Sequence, residues 1–440
     1  MEYSANVEKL LAAHHVRIGD VVQIEKDGQV FEGTIMPNTG DPDIIVLKLK
    51  SGYNIGLHAD EAKIRKLEKE PREKTIRKLQ HEHDAGKKTI VILHTGGTIA
   101  SKIDYETGAV HSAFTPEEII SSVPELAQIA NIRTEMIFQM ASDDIESPHW
   151  IQLAKRITEE SGRCDGFIIT HGTDTMHYTA AALSFMLRGI NKPVILVGSQ
   201  RSSDRGSSDA SMNLICAAQF IANSDFVGVG LCMHGSMNDD YCYIHNGLHV
   251  RKMHTSRRDA FKSVDVMPIA KVSATGHVEM MEYEKRADEF KPIFSFEKKV
   301  ALIKMRPGFD YRELEFYEKS GYRGIVLEGT GLGHAPINVT DENTKHHAEL
   351  FDVIARMAKN GIVAMTSQCI FGKVNMNVYS PGRKLLEAGV LPAAMTPETA
   401  YVKLGWVLGH AKNLEEAKRM FMENIAGEIV ERIDPRAFID

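Results

Sequence analysis

What this 440-residue chain lacks narrows what it can be. No apolar run approaches the roughly 20 residues that span a bilayer, and the start, Met1-Glu2-Tyr3-Ser4, has no basic-then-apolar signal pattern. A soluble, cytoplasmic protein is expected. Cysteine is scarce and odd in number, five residues with no CxxC pair, and Cys216 and Cys232 fall within apolar stretches. Reduced, structural thiols are therefore expected rather than a disulfide framework. There is no HExxH segment. His245 and His249 have helical ligand spacing, but Gly247 lies between them and no carboxylate pattern supports them, so metal-free chemistry is expected. Basic excess is missing too: the formal net charge is -7, which argues against a principal nucleic-acid binder while leaving room for a local patch such as Arg257-Arg258.

What is present is one device used twice. The apolar pair Ile168-Ile169 runs into Thr170-His171-Gly172-Thr173-Asp174-Thr175-Met176. Upstream, Thr89-Ile90-Val91-Ile92-Leu93 runs into His94-Thr95-Gly96-Gly97-Thr98-Ile99-Ala100. Each reads as a buried strand ending in a glycine turn that bears hydroxyls. A helical pattern over Tyr178–Leu187 follows the second turn. Strands alternating with helices predict a parallel sheet whose ligands sit at the carboxyl ends of its strands, so both turns open into one crevice. Glycine lets main-chain amides approach a substrate with no Cβ in the way, and amides beside a hydroxyl suit acyl transfer. With 43% hydrophobic and 25% charged residues the chain can bury large cores, arranged in two or three domains.

These segments resemble the type I asparaginase family, whose members carry a TGGTIA-like and an HGTDT-like turn. Further matches are Ala141-Ser142-Asp143-Asp144 ahead of Trp150, Pro193–Gln200, Glu328–His334, and Val250-Arg251-Lys252-Met253-His254-Thr255 followed by Ala260-Phe261-Lys262-Ser263. The resemblance implies an asparaginase-like two-domain α/β fold with parallel sheets, and an active site at a close homodimer contact. It implies Thr95 as nucleophile and Tyr105 as a residue helping to deprotonate it, with amides of the turns at Gly96 and Gly172 holding the oxyanion. Thr173, Asp174 and Lys252 would polarise the bound substrate and activate water for deacylation, and Ser142 and Asp143 would hold its α-carboxylate and α-ammonium. An unassisted threonine hydroxyl is too weak an acid to attack an amide near neutral pH, so some group must take its proton. The acyl-enzyme would be an ester, since neither turn contains a cysteine. Thr98 and Thr175 read as turn-stabilising hydroxyls. Tyr105, between Asp104 and Glu106 in a polar loop, also reads as a surface residue.

Residues before about Ala85 fall outside that resemblance. Short apolar stretches such as Val21–Ile24, Val30–Ile35, Ile44–Leu49 and Tyr53–Leu57 alternate with the hairpin turns Lys26-Asp27-Gly28, Pro37–Pro42 and Lys50-Ser51-Gly52. They predict a small SH3-like β-barrel followed by a charged connector up to Lys88. The expected domains are 1–85, barrel and connector; 86–285, with the catalytic turns; and 297–440, a second α/β domain. Asn413–Arg432 has apolar residues at near-helical spacing and is expected to pack on its own domain.

A barrel in front of an asparaginase-like body resembles the GatD family, found in archaeal-type glutamyl-tRNA(Gln) amidotransferases. That likeness implies a glutaminase without a cofactor of its own. Its ammonia would pass to a partner, GatE, which uses ATP and Mg on misacylated Glu-tRNA(Gln). The tRNA would be held mainly by that partner, and a homodimer of this chain would sit within a heterotetramer. Two alternatives stay open: a free-standing cytoplasmic L-asparaginase with an incidental barrel, and a non-catalytic binding protein, which the presence of every proposed catalytic side chain disfavours. One methylene separates glutamine from asparagine, a discrimination of only about 1–3 kcal/mol in a pocket, so the sequence leaves that preference open.

Overall fold

The computed structural model describes residues 3–26, 28–36, 41–49, 54–60, 62–67, 83–97, 101–103, 110–112, 123–201, 208–281, 283, 285 and 288–438. Tyr105 and Thr98 lie outside these residues.

The chain opens with a helix that the hairpin pattern did not predict. α1 (Ala5–Ala13) starts at Ser4, whose hydroxyl accepts from the Val7 amide, and it buries Val7 and Leu11 among Val22, Ile24, Ile35, Ile45 and Leu47. Those residues belong to β1 (Val21–Lys26), β2 (Gln29–Ile35) and β3 (Ile44–Leu49), which with β4 (Asn54–His58) and β5 (Lys63–Lys66) form an antiparallel sheet in the order β4-β3-β2-β1-β5. β5 pairs with β1, so the five strands make the small N-terminal β domain that the sequence predicts.

An eight-stranded sheet follows. β6 (Thr89–Gly96) leads to the ribbon β7 (Ser101–Ile103) and β8 (Val110–Ser112), then come β9 (Asn131–Met140), β10 (Gly166–Thr170), β11 (Pro193–Val197), β12 (Gly228–His234) and β13 (Cys242–Asn246). β14 (Val250–Lys252) and β15 (Phe261–Ser263) form a separate ribbon before β16 (Ala270–Val272) and β17 (Val278–Met280) close the order β17-β16-β13-β12-β11-β10-β6-β9. From β12 through to β9 the neighbours are parallel, which sets the carboxyl ends of β6, β9, β10 and β11 on one side. α2 (Ser147–Glu160) and α3 (Met176–Met186) cover one face and α4 (Ala210–Asn223) the other. In α2 the residues Trp150, Leu153, Ala154 and Ile157 recur at the spacing of one helix face, and all four are buried.

The remaining sheet is parallel: β18 (Val300–Lys304), β19 (Gly324–Gly329), β20 (Ile362–Ser367) and β21 (Leu391–Pro392), in that order. α5 (Tyr311–Lys319), α6 (His347–Asn360) and α7 (Ser380–Glu387) pack on one of its faces, and α8 (Pro397–His410) and α9 (Leu414–Met422) on the other. Val326, Ile362 and Leu404 lie in the same core cluster as Val91 and Phe167, so the two halves share one hydrophobic interior. Phe185 of α3 and Trp406 of α8 stack across it with centroids 5.6 Å apart, a contact contributing about 0.5–1.5 kcal/mol beyond its buried area.

The C-terminal helix stops at Met422, short of the expected Arg432. The backbone turns extended at Glu423 (φ -77°, ψ 145°), and in the turn beyond it Asn424 Oδ1 accepts from the amides of Gly427, at φ +97°, and Ile429. Beyond that turn Glu428 pairs at 2.5 Å with Lys403, both side chains 0% exposed. All five cysteines are free, and all but Cys369 are buried. No described helix is long and apolar enough to cross a membrane.

Candidate active site at the glycine turns

β6 and β10 lie side by side with His94 opposite Thr170, so the turns that follow them leave the sheet at the same edge. Glycine is required where they meet. Gly97 has φ +79°, and a Cβ there would stand 2.3 Å from the Gly172 amide nitrogen. Gly96 has φ +103°, and its Cβ would strike the Met140 carbonyl oxygen at 2.5 Å. A Cβ on Gly172 would come within 2.8 Å of Ser142 Cβ, and one on Gly198 within 2.7 Å of Thr173 Cγ2. Four segments, following β6, β9, β10 and β11, thus converge with their backbones closer than side chains would allow.

Into this junction β14 brings Lys252. Its Nζ donates to Thr173 Oγ1 at 2.8 Å and to Asp174 Oδ1 at 2.7 Å. The lysine side chain is 10% exposed while that of Asp174 is 62% exposed, so the ammonium is enclosed by protein and the carboxylate faces solvent. Two adjacent side chains and a third 78 residues further on, assigned together, thus make one hydrogen-bonded group.

Thr95 is placed differently. It is the penultimate residue of β6, 0% exposed, and its hydroxyl donates to the Thr170 carbonyl oxygen at 2.8 Å. A carbonyl oxygen cannot take up the proton that an attacking alcohol must lose. The observed bond gives Thr95 the role of joining the ends of β6 and β10, and it argues against the nucleophile's role expected of it.

Behind the second turn runs a relay that the sequence pattern did not reveal. His171 Nδ1 lies 2.6 Å from the Gly172 carbonyl and Nε2 lies 2.8 Å from Thr179 Oγ1, which also accepts from Trp150 Nε1 at 3.0 Å. A carbonyl only accepts, so Nδ1 carries the proton, and Thr179 donates to Nε2. The imidazole is neutral: burial pushes its pKa down to about 4. Trp150 was visible in the sequence as part of a matched segment. Thr179 carried no signal, because only the helical phase of α3 turns it toward the histidine.

Ser142 opens a short 3₁₀ turn over Ser142–Asp144 at the end of β9 and is buried, whereas Asp143 is exposed. Thr175 Oγ1 donates to the Ser142 carbonyl at 2.6 Å, which ties this turn to the second glycine turn. His245 lies on β13 and His249 in the turn after it, bonded to Ser263 Oγ and to the Gly427 carbonyl respectively. They do not share a helix face.

Comparison with known proteins agrees with this geometry. Residues 89–286 match the model of the asparaginase N-terminal domain, residues 299–421 that of the glutaminase/asparaginase C-terminal domain, and residues 16–67 that of the GatD N-terminal domain. Among solved structures, the thermostable L-asparaginase from Thermococcus kodakarensis aligns at TM-score 0.67 and 34% identity, covering 78% of this chain and 99% of its own. L-asparaginase I from Vibrio cholerae aligns at 0.67 and 31%, with the same coverage of both chains. The architecture is therefore the asparaginase-like α/β fold, preceded by a small β domain. The GatD protein of the glutamyl-tRNA(Gln) amidotransferase from Pyrococcus abyssi is 48% identical over 96% of this chain and 97% of its own length. Its counterpart from Methanothermobacter thermautotrophicus is 46% identical over 98% of each. The chain belongs to the GatD family of glutamyl-tRNA(Gln) amidotransferase subunits.

Proposed function

We infer that this chain is the glutamine-hydrolysing component of a glutamyl-tRNA(Gln) amidotransferase, and that its chemistry takes place where the two glycine turns meet Lys252. The observation that carries this reading is the Lys252–Thr173–Asp174 group at 2.7–2.8 Å beside the glycine junction. Its family relatives bear that enzyme's name along nearly their whole length.

The nucleophile belongs to the first glycine turn. Thr95 has its hydroxyl committed to a carbonyl, so we assign attack to Thr98, the next hydroxyl of the same turn. Its oxygen attacks the side-chain amide carbon of glutamine, its proton passes to a nearby base and from there to the amide nitrogen, and the C–N bond breaks to release ammonia. The resulting ester is cleaved by water, releasing glutamate. Lys252, with Thr173 and Asp174, activates that water and stabilises the charge developing on the substrate. Amides at Gly96 and Gly172 receive the oxyanion, Ser142 and Asp143 orient the amino acid's charged groups, and Tyr105 assists the proton transfer.

The ammonia goes to a partner, GatE, which uses ATP and Mg to convert Glu-tRNA(Gln) to Gln-tRNA(Gln). The glutaminase itself requires no cofactor. A net charge of -7 suits a chain that leaves most tRNA contacts to that partner. The assembly is a heterotetramer built on a homodimer of this chain, and it works in the cytoplasm.

The test is hydrolysis of glutamine and of asparagine by the purified chain, with and without co-expressed partner, misacylated Glu-tRNA(Gln) and ATP. Glutamine hydrolysis that rises with partner and tRNA is expected. Fast asparagine hydrolysis indifferent to both would make the chain a free-standing asparaginase.

A further inference from the structure

Lys252 is carried on a ribbon of two three-residue strands, β14 and β15, that pair with each other and not with the eight-stranded sheet. Such a ribbon needs outside support to hold a side chain to a fraction of an ångström, and much of that support comes from the C-terminal half of the chain. Thr399 Oγ1, in the first turn of α8, donates to the Leu248 carbonyl at 2.9 Å. His249 Nε2 lies 2.7 Å from the Gly427 carbonyl. The Gly372 amide donates to Asp265 Oδ1 at 2.9 Å. Within the strand itself, Arg251 Nη1 lies 3.2 Å from Glu398 Oε1.

The last contact bears on the lysine most directly. Arg251 and Lys252 are consecutive on a strand, so their side chains leave on opposite faces. One reaches Thr173 and Asp174, the other the N-terminus of α8, where the helix dipole favours a carboxylate. Glu398 is 6% exposed and Arg251 26%. Burial pushes the Glu398 carboxyl up, and Arg251 opposes that shift. The pair is at ion-pair distance but not aligned for a hydrogen bond. Arg251 Nη1 and Glu398 Oε2 have no hydrogen-bond partner among the described residues, and neither has Nδ1 of His177 in the first turn of α3. A buried pair of this kind contributes little net stability over apolar residues of similar size, and fixing register is its best-attested use.

We propose that Glu398 is a positioning residue for hydrolysis: through Arg251 it fixes β14, and with it Lys252, against Thr173 and Asp174, so that the C-terminal half sets the geometry of the active lysine. This rests on the reading of Lys252 as part of the active site. A shift of α8 would reach the lysine through one salt bridge, a route by which events elsewhere on the C-terminal half alter turnover.

The experiment compares Glu398→Gln with wild type and with Lys252→Met, using the full-length chain co-expressed with its partner and measuring kcat and KM for glutamine hydrolysis. Glu398→Gln is expected to lower kcat roughly 10- to 100-fold, the cost of misplacing a reacting group by about an ångström, with KM little changed. The double variant Arg251→Met/Glu398→Leu restores apolar packing; it is expected to melt near wild type and still show the lowered kcat. Wild-type kcat in Glu398→Gln, or recovery of kcat together with melting temperature in the double variant, overturns the proposal and leaves the pair a packing feature. Full turnover by Lys252→Met would remove the catalytic reading of that lysine, and the proposal with it.

Discussion

In both glycine turns a threonine stands where a parallel strand gives way to glycine, Thr95 at the end of β6 and Thr173 just past β10, yet the two hydroxyls have different partners. Thr95 donates to the neighbouring strand's carbonyl, while Thr173 accepts from an ammonium. The positions differ by a few residues of register. Thr95 is still inside the ladder, one residue before Gly96, where its side chain faces the adjoining strand end. Thr173 follows Gly172, after the chain has left the sheet. A hydroxyl before the glycine closes the sheet edge, and a hydroxyl after it is delivered to the crevice. In the sequence, Thr98 follows Gly97 as Thr173 follows Gly172.

The largest expected effect comes from exchanging these roles. Thr98→Val should abolish glutamine hydrolysis, whereas Thr95→Val should retain it and lose about 1–3 kcal/mol of stability, the cost of leaving the buried Thr170 carbonyl without its donor. Hydrolysis assays and thermal unfolding of the two variants check this, and the reverse pattern would return the nucleophile's role to Thr95. Next comes the glycine contact between the turns. Gly97→Ala forces the two backbones apart, because its Cβ would meet backbone and not a flexible side chain, and turnover should fall about 10²-fold; wild-type kcat in that variant would show that the junction tolerates separation.

A smaller effect tests the relay behind the second turn. Thr179→Val leaves Trp150 Nε1 and His171 Nε2 without the hydroxyl that joins them, and should cost about 1–3 kcal/mol in a denaturation experiment. A separate effect is on pH dependence. Burial holds the folded-state pKa of His171 near 4 against about 6.5 in an unfolded chain. Between these values the unfolded chain binds a proton that the folded one refuses, so the contribution is complete above about pH 6.5 and is lost as pH falls toward 4. His177 and His245, held near 3 chiefly by burial, steepen the same loss. His171→Gln should flatten the slope of stability across that window, and an unchanged slope would show that this histidine is not buried neutral.

Much of this site is legible in the sequence, because apolar strand runs and glycine turns are local patterns. The runs at Thr89–Leu93 and Ile168–Ile169 fall in adjacent parallel strands, and Lys252 meets Thr173 and Asp174 as the family resemblance implies. What was not legible depends on three-dimensional phase. That the Thr95 hydroxyl meets the neighbouring strand is decided by where β6 ends, a matter of one or two residues. Thr179 enters the site by the rotation of α3, and Glu398 approaches Arg251 by the packing of α8 on a distant ribbon. At the N-terminus, Val7 and Leu11 do carry helical spacing, but α1 is short beside the hairpin pattern that follows it. At the other end, apolar spacing ran on past Met422 while the backbone turned extended at Glu423.

The central claim is that the junction around Lys252 hydrolyses glutamine to supply ammonia and does nothing further to the tRNA-bound glutamate. Its most direct test is Gln-tRNA(Gln) formation by Lys252→Met assembled with its partner protein and ATP, run once with glutamine and once with an ammonium salt as nitrogen donor. The account predicts that the glutamine-dependent product disappears while the ammonium-dependent product forms at the wild-type rate. Loss of both would place Lys252 in the partner's reaction or in assembly, and persistence of both would put hydrolysis elsewhere in the molecule.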